Sequence, residues 1–163
     1  MRVDQIMALG NVQRWHMVSP LHAQNVAAHS FGVAMLARHI APGDLHVIER
    51  VQLLELGLVH DAHETRFGDI PGPAKHEMME HKIDIDGWCR KSFWKVDPYD
   101  LVTDRVRHLV EVADRLEEAM FAHLNLPELA EQMALQTIRT ARTSLTDESV
   151  ERVVEALSPI PRK

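Results

Sequence analysis

Adjacent His60 and Asp61, followed by His63, Glu64, Asp69 and Lys75, gather imidazole, carboxylate and ammonium groups into one stretch, LGLVHDAHETRFGDIPGPAK. That stretch starts as apolar helix and ends as a loop rich in glycine and proline. A helix ending on His-Asp can aim both side chains at one cation, because its last turn leaves side chains and backbone free to splay toward a common point. Two residues elsewhere could complete such a site: His29, flanked by Ala28 and Ser30, and Asp114, between Ala113 and Arg115. Two imidazoles and two carboxylates form a mixed nitrogen and oxygen set suited to zinc, manganese, cobalt or iron, with positions left for water and substrate. Singly, each has a plainer explanation. His29 could be a satisfied helix histidine, and Asp114, among Arg107, Glu111 and Glu118, part of a solvated face. The order H-D-A-H-E is neither H-E-x-x-H nor H-x-x-E-H, so it is a poor zinc-peptidase signature. Asp84 and Asp86 lack the rest of a calcium loop and read as a turn.

The elements that must position these groups are helical. Apolar periodicity stays close to 3.6, and no segment alternates with period two for long enough to make a strand, which predicts an all-α fold. A first helix covers about residues 3–9, and the connector VQRWHMVSPLHAQN follows it. A second helix runs over about 24–41 and stops at Pro42-Gly43. The third, about 45–62, takes Asp44 as its cap and carries Val47, Val51, Leu54 and Leu58 as its apolar stripe. After the turn-rich loop 65–74, a fourth helix covers about 75–93 with an interruption near Asp86-Gly87. Asp97-Pro98 opens a long fifth helix to about 123, Pro127 a sixth to about 143, and Thr146-Asp147-Glu148 a last one to 157. Trp88, Phe93 and Trp94 are expected to anchor the fourth helix against the core or a neighbouring subunit.

With 163 residues the chain suits one domain, residues 1–163, with the tail 158–163 frayed. Apolar residues make up 45% and charged residues 26%, which excludes disordered, collagen-like and membrane classes. No apolar run approaches the roughly 18 residues of a membrane helix, and the N-terminus lacks a signal-peptide layout, so a cytosolic location is expected. A single cysteine, Cys89, agrees with a reducing compartment. Net charge −6 argues against a nucleic-acid polymer as partner. A small anion needs only a few placed Arg and Lys.

Three ordered blocks, NVAAHSFGVAMLA, LGLVHDAHETRFGDIPGPAK and VEVADRLEEAMFA, resemble the H…HD…D pattern of the HD-domain metal-dependent phosphohydrolases. Within that superfamily the chain is similar to small 5′-deoxynucleotidases and to phage deoxyadenosine triphosphohydrolases. The likeness includes an Arg-Trp pair before the first histidine, here Arg14-Trp15, and the stretch HD-x-x-E…GD-[IL]-P-x-P-x-K. It implies an HD-domain bundle of six to seven helices. His29, His60, Asp61 and Asp114 would be ligands of one divalent ion, zinc, cobalt, manganese or magnesium. One metal is expected because no second set of paired ligands stands out. Glu64 would be the catalytic carboxylate, and Asp69 a sugar contact or second acid-base group. Arg14 and Lys75 would contact phosphate, Trp15 would form a wall for sugar or base, and Met17 would limit the purine edge. His63 would only line the site.

The activity so implied is hydrolysis of a 2′-deoxynucleotide at the α-phosphorus, dATP giving deoxyadenosine and triphosphate. A 5′-deoxynucleotidase acting on a monophosphate is the alternative, and a non-catalytic nucleotide sensor the competitor from another class. The resemblance also implies a homo-oligomer, dimer or hexamer, with helices four to six as its surface, acting in the host cytoplasm if the chain is phage-encoded.

Overall fold

A computed structural model describes residues 2–161, and regular structure among them is helical. Helix α1 (Val3–Ala8) tightens into a 3₁₀ turn, Leu9–Asn11. Then come α2 (Val26–Ile40), α3 (Val47–Val59), α4 (Glu64–Phe67), α5 (Gly72–Glu80), α6 (Ile85–Phe93) and a 3₁₀ turn, Pro98–Leu101. Three longer helices complete the chain: α7 (Asp104–Asn125), α8 (Pro127–Ser144) and α9 (Asp147–Ala156).

Val33, Ala37 and Ile40 of α2, Leu53 and Leu56 of α3, and Leu109, Leu116 and Ala119 of α7 bury one core with Ala134 and Ile138 of α8 and Val153 of α9. Each fully buried Val, Leu or Ile contributes about 1.5–3 kcal/mol relative to exposure, so this core fixes how α2, α3 and α7 lie against one another. The approach of α2 to α3 is closer still. A Cβ on Gly57 would stand 2.8 Å from the Ala34 Cα, which only a glycine avoids. Side-chain caps start the helices where they are needed: Asn25 Oδ1 accepts from the Ala28 N–H at 2.9 Å, and Thr103 accepts from Val106 at 3.4 Å.

Several expected boundaries move. His46, not Asp44, caps α3, its Nδ1 accepting from the Ile48 N–H at 3.3 Å. The fourth helix is two, broken at residues 81–84, because Asp84 takes the cap position of α6 and accepts from Gly87 N–H at 2.9 Å. Asp97-Pro98 opens only the short 3₁₀ turn, and α7 begins after Thr103. The stripe expected to bury α3 faces outward, with Val47 66%, Val51 60% and Leu58 46% exposed. Leu53, Leu56 and Gly57 face the core instead. Helix α3 is apolar on two sides, and the inner side includes a glycine that a hydropathy count overlooks. Trp94 and Phe93 do anchor the end of α6, against Leu9, Val26 and Ala62, but Trp88 is 59% exposed.

The tail differs too. Ser158 and Pro159 are exposed, but Ile160 is 2% exposed and its N–H donates to the Leu157 carbonyl at 3.1 Å, so the chain is packed at Ile160 rather than frayed from 158. Residues 162 and 163 lie outside the described residues. No helix among the described residues is long and apolar enough to cross a membrane.

Candidate metal centre and active site

The four ligand candidates come from three helices and meet. His29 is on the inner face of α2, His60 and Asp61 follow the last residue of α3, and Asp114 is on α7. His29 Nε2 lies 3.0 Å from Asp114 Oδ1 and 3.5 Å from Asp61 Oδ2. His60 Nε2 lies 3.2 Å from Asp61 Oδ2 and 3.9 Å from Asp114 Oδ1. Donors bound to one tetrahedral ion at the usual nitrogen and oxygen distances stand about 3.4 Å apart, the spacing seen here.

Their hydrogen bonding also suits a cation. His60 Nδ1 is 2.9 Å from the Gly57 carbonyl, which can only accept, so Nδ1 carries the proton and Nε2 offers a lone pair. His29 Nδ1 is 2.6 Å from Glu117 Oε2, a carboxylate behind the imidazole that sets the same tautomer. His29 Nε2, His60 Nε2 and Asp114 Oδ1 are buried and make no hydrogen bond. Lone pairs converging without donors call for a positive charge between them, and these residues fit a divalent ion.

Without such an ion the imidazoles must carry the compensating charge. Burial works to lower the His29 pKa, but Asp114, Asp61 and Glu117 overcome it and hold it well above the ordinary value. His60 is raised against burial by Asp61 and Asp114. Asp61 and Asp114 are lowered in turn, their burial outweighed by His60 and His29. The Asp114 side chain is 35% exposed, so the centre opens to solvent on the α7 side.

Arg14 pairs with one ligand candidate and with a neighbouring glutamate. Its Nη1 is 3.0 Å from Asp61 Oδ2 and its Nη2 2.9 Å from Glu118 Oε1, and only 8% of its side chain is exposed. The fork expected to grip phosphate is already taken by carboxylates in this arrangement. Arg14 is placed by main-chain bonds that close the connector, Arg14 N–H to the Gln24 carbonyl at 2.9 Å and Val26 N–H to the Val12 carbonyl at 3.0 Å. Trp15 follows with φ of 61°, a left-handed conformation costly for an aromatic residue. Two contacts hold it there: its ring stacks on Phe121 at 5.4 Å, and its Nε1–H donates to Gln24 Oε1 at 2.8 Å. Gln24 Nε2 donates onward to Glu117 Oε1 at 2.7 Å, which ties Trp15 to the carboxylate behind His29. Met17 projects into solvent, 74% exposed.

The remaining candidates sit on short segments. Helix α3 gives way to a turn at residues 60–63, so Glu64 is not on the same continuous helix as His60 but is the first residue of α4. Glu64 is nevertheless buried, 1% exposed, with neither carboxylate oxygen hydrogen-bonded. Burial and then Asp61 push it up to about 9, against the pull of Lys75. Gly68, with φ of 78°, makes the turn that presents Asp69, whose Oδ2 lies 3.6 Å from His16 Nδ1. Lys75 Nζ is 3.1 Å from Asp86 Oδ1 and 3.8 Å from Glu64 Oε1.

Asp86 is thus more than part of a turn. His63 Nε2 also approaches its Oδ1, at 3.6 Å, while His63 Nδ1 lies 3.2 Å from the His60 carbonyl. Ligand atoms of Asp61, His63 and Glu64 all lie within 4.8 Å of one another, a second metal-like group that sequence reading did not find. It also missed Gln24, Glu117 and Glu118. For the two glutamates a signal existed: three and four residues after Asp114 on a helix is the same face. For Gln24 there was none, since its partner lies 93 residues away.

A helical bundle that brings His, His-Asp and Asp together at its centre is an HD-domain fold. The sequence profile of the 5′-deoxynucleotidase YfbR-like family matches residues 3–87, and the chain belongs to that family. A 5′-deoxynucleotidase of Klebsiella pneumoniae is 35% identical over 106 residues, 61% of this chain and 51% of that one. The 5′-deoxynucleotidase YfbR of Salmonella paratyphi B is 36% identical over 72 residues, 40% of this chain and 35% of that one. The chain therefore spans about half the length of the first of these relatives. In fold it is similar to the cyanophage S-2L HD phosphohydrolase DatZ, whose structure holds dA and one catalytic Zn2+. The TM-score is 0.79 over 98% of this chain and 95% of DatZ, at 22% identity.

Proposed function

We propose that this protein hydrolyses a 2′-deoxynucleotide at its α-phosphorus, with dATP as substrate and deoxyadenosine and triphosphate as products. The observation that carries the reading is the convergence of unbonded His29 Nε2, His60 Nε2 and Asp114 Oδ1 beside a buried, unbonded Glu64. His29, His60, Asp61 and Asp114 would hold one divalent ion. When bound, that ion supplies Lewis acidity and lowers the pKa of a water toward neutrality.

The chain's own groups do the rest. Glu117 and the Gly57 carbonyl keep both imidazoles in the tautomer that presents Nε2. Arg14 neutralises part of the carboxylate charge and fixes Asp61. Glu64 orients the attacking water, or passes a proton to the 5′ oxygen as the bond from phosphorus to that oxygen breaks. Lys75 lies close enough to turn from Asp86 toward a substrate phosphate as a point charge, and Asp69 would meet the sugar. Trp15 would wall the deoxyribose or base, and Met17 would bound the purine edge.

The likeness in fold to DatZ, whose structure holds dA, supports a deoxyadenosine nucleotide, and dATP is the first candidate from the sequence resemblance. The second reading, a 5′-deoxynucleotidase releasing orthophosphate, is supported by the family and by its relatives from Klebsiella and Salmonella. The engagement of Arg14 and Lys75 with carboxylates favours it as well, since a triphosphate tail needs free cations. Incubating metal-loaded protein with dATP, dGTP, dAMP and ATP, with products resolved by ³¹P NMR, tests both. Triphosphate from dATP supports the first reading, orthophosphate from dAMP alone replaces it with the second, and no product from any of them sinks both. An assembly of identical chains, each acting as one domain in the cytoplasm, belongs to the same proposal, and light scattering of the purified protein tests the assembly.

A further inference from the structure

The second group of ligand-like residues repeats the construction of the first. In both, a histidine donates Nδ1–H to a main-chain carbonyl three residues earlier, His60 to Gly57 and His63 to His60. In both, the freed Nε2 then faces a carboxylate oxygen with no hydrogen to share, Asp61 Oδ2 for His60 and Asp86 Oδ1 for His63. In both, buried carboxylate oxygens lack hydrogen bonds: Asp114 Oδ1 in the first, Glu64 Oε1 and Oε2 in the second. Asp61 belongs to the two groups together, its Oδ2 facing His29 and His60 while a ligand atom of the same side chain lies within 4.8 Å of those of His63 and Glu64.

One difference separates them. The second group contains a cation of the chain's own. Lys75 Nζ is 3.1 Å from Asp86 Oδ1 and 3.8 Å from Glu64 Oε1, its side chain 26% exposed. At 3.8 Å it is too far for a hydrogen bond to Glu64, so the ammonium balances that carboxylate's charge without satisfying its lone pairs. A singly charged ammonium with three donors thus stands where a divalent ion could meet more of these lone pairs.

We propose that Lys75 fills a second cation position, lined by Asp61, His63, Glu64 and Asp86, and that it keeps the protein at one metal ion where these side chains could bind two. Two divalent ions sharing a carboxylate stand about 3.5–4 Å apart in two-metal sites, and Asp61 faces both groups here. The starting point is the ion proposed above for His29, His60, Asp61 and Asp114. Removing the ammonium opens the second position to a divalent ion, and replacing it with guanidinium keeps it closed.

The test is metal stoichiometry, which needs no turnover. The parent protein, Lys75→Ala, Lys75→Gln and Lys75→Arg are each dialysed to equilibrium against Mn2+, and bound metal is counted per chain by mass spectrometry. Expected are one equivalent in the parent and in Lys75→Arg, two in Lys75→Ala and Lys75→Gln, and a return to one in Lys75→Gln combined with Asp86→Asn. The electron paramagnetic resonance spectrum of bound Mn2+ should change from isolated to spin-coupled in the two-metal variants. Circular dichroism identifies a variant that has lost its fold, and Lys75→Gln, which stays polar and is one atom shorter than lysine, then carries the comparison. Equal stoichiometry in the parent and Lys75→Gln overturns the proposal, as does a parent that already binds two. The increment between variant and parent decides this question. A parent that binds none instead removes the metal-centre reading, whatever the increment.

Discussion

The two halves of the cleft are built on different foundations. His29, His60, Asp61 and Asp114 stand on or directly after α2, α3 and α7, helices of 15, 13 and 22 residues locked by a shared apolar core. Glu64, Lys75 and Asp86 stand on α4, α5 and α6, of four, nine and nine residues, and Asp69 on the turn between two of these. In α5 no residue is buried. The first half is held by the shared core, while in the second the end of α6 packs on a smaller apolar cluster and ion pairs join Lys75 to Asp86 and Glu64, so substitutions in the first should strike metal binding and stability together. Substitutions in the second should strike turnover and leave the fold.

The largest effect should follow Asp61→Asn. It removes a proposed ligand and leaves the buried Arg14 guanidinium short of its partner, which for a buried pair costs about 3–5 kcal/mol. Metal content should fall to background, and the melting temperature should drop with it. If the variant keeps both metal and melting temperature, the two halves are not distinguished in this way. Glu64→Gln sharpens the contrast from the other side: turnover should fall by about 10²–10⁴, the range typical of a lost acid-base group, while metal content stays at the parent level. Unchanged turnover would remove Glu64 from the mechanism. Glu117→Ala touches the first half from behind, and metal affinity measured by competition with a chelator should weaken about 10- to 100-fold as His29 loses the group that sets its tautomer.

Acidity separates the halves further. In metal-free protein His29 and His60 are raised, so their contribution to stability is fully present below the unfolded histidine value and is lost as pH rises through the raised folded values. The ion must displace those same protons, so its affinity should climb with pH across that window. The rise in melting temperature on adding metal should therefore grow from pH 6 toward alkaline pH, and thermal scans with and without Zn2+ check it. In the second half Asp86 is lowered to about 2: its burial is outweighed by His63 and Lys75, so its contribution is present above the unfolded value and lost only in strong acid. The smallest effect belongs to Met17→Ala. At 74% exposure the stability change should stay within about 0.5 kcal/mol, and base preference among purine deoxynucleotides is the property to measure.

The same division explains what the sequence disclosed. Helix type is legible in the sustained 3.6-residue apolar period, whereas His29 and Asp114 stand out as ligand candidates only through the resemblance of three ordered blocks, not through that period. The cap of α7 was not, since Asp97-Pro98 looks as good a start as Thr103 until the chain's path is known. Arg14 was singled out for its chemistry, but its direction, toward Asp61 and Glu118, depends on a connector closed by two main-chain bonds that leave no compositional mark. Asp86 was set aside with Asp84 as a turn. Asp84 is indeed a cap, while Asp86, two residues on, enters the cleft because α6 begins between them.

Gly57 has a consequence for how this chain can vary. Its missing side chain lets α3 meet the Ala34 backbone, and its carbonyl accepts a hydrogen bond from His60 Nδ1–H, so one position gauges the gap between two helices and orients an imidazole. In a saturation-mutagenesis map, Leu53 and Leu56 beside it should accept other apolar residues of similar volume. Position 57 should appear as a single intolerant column within that otherwise permissive helix.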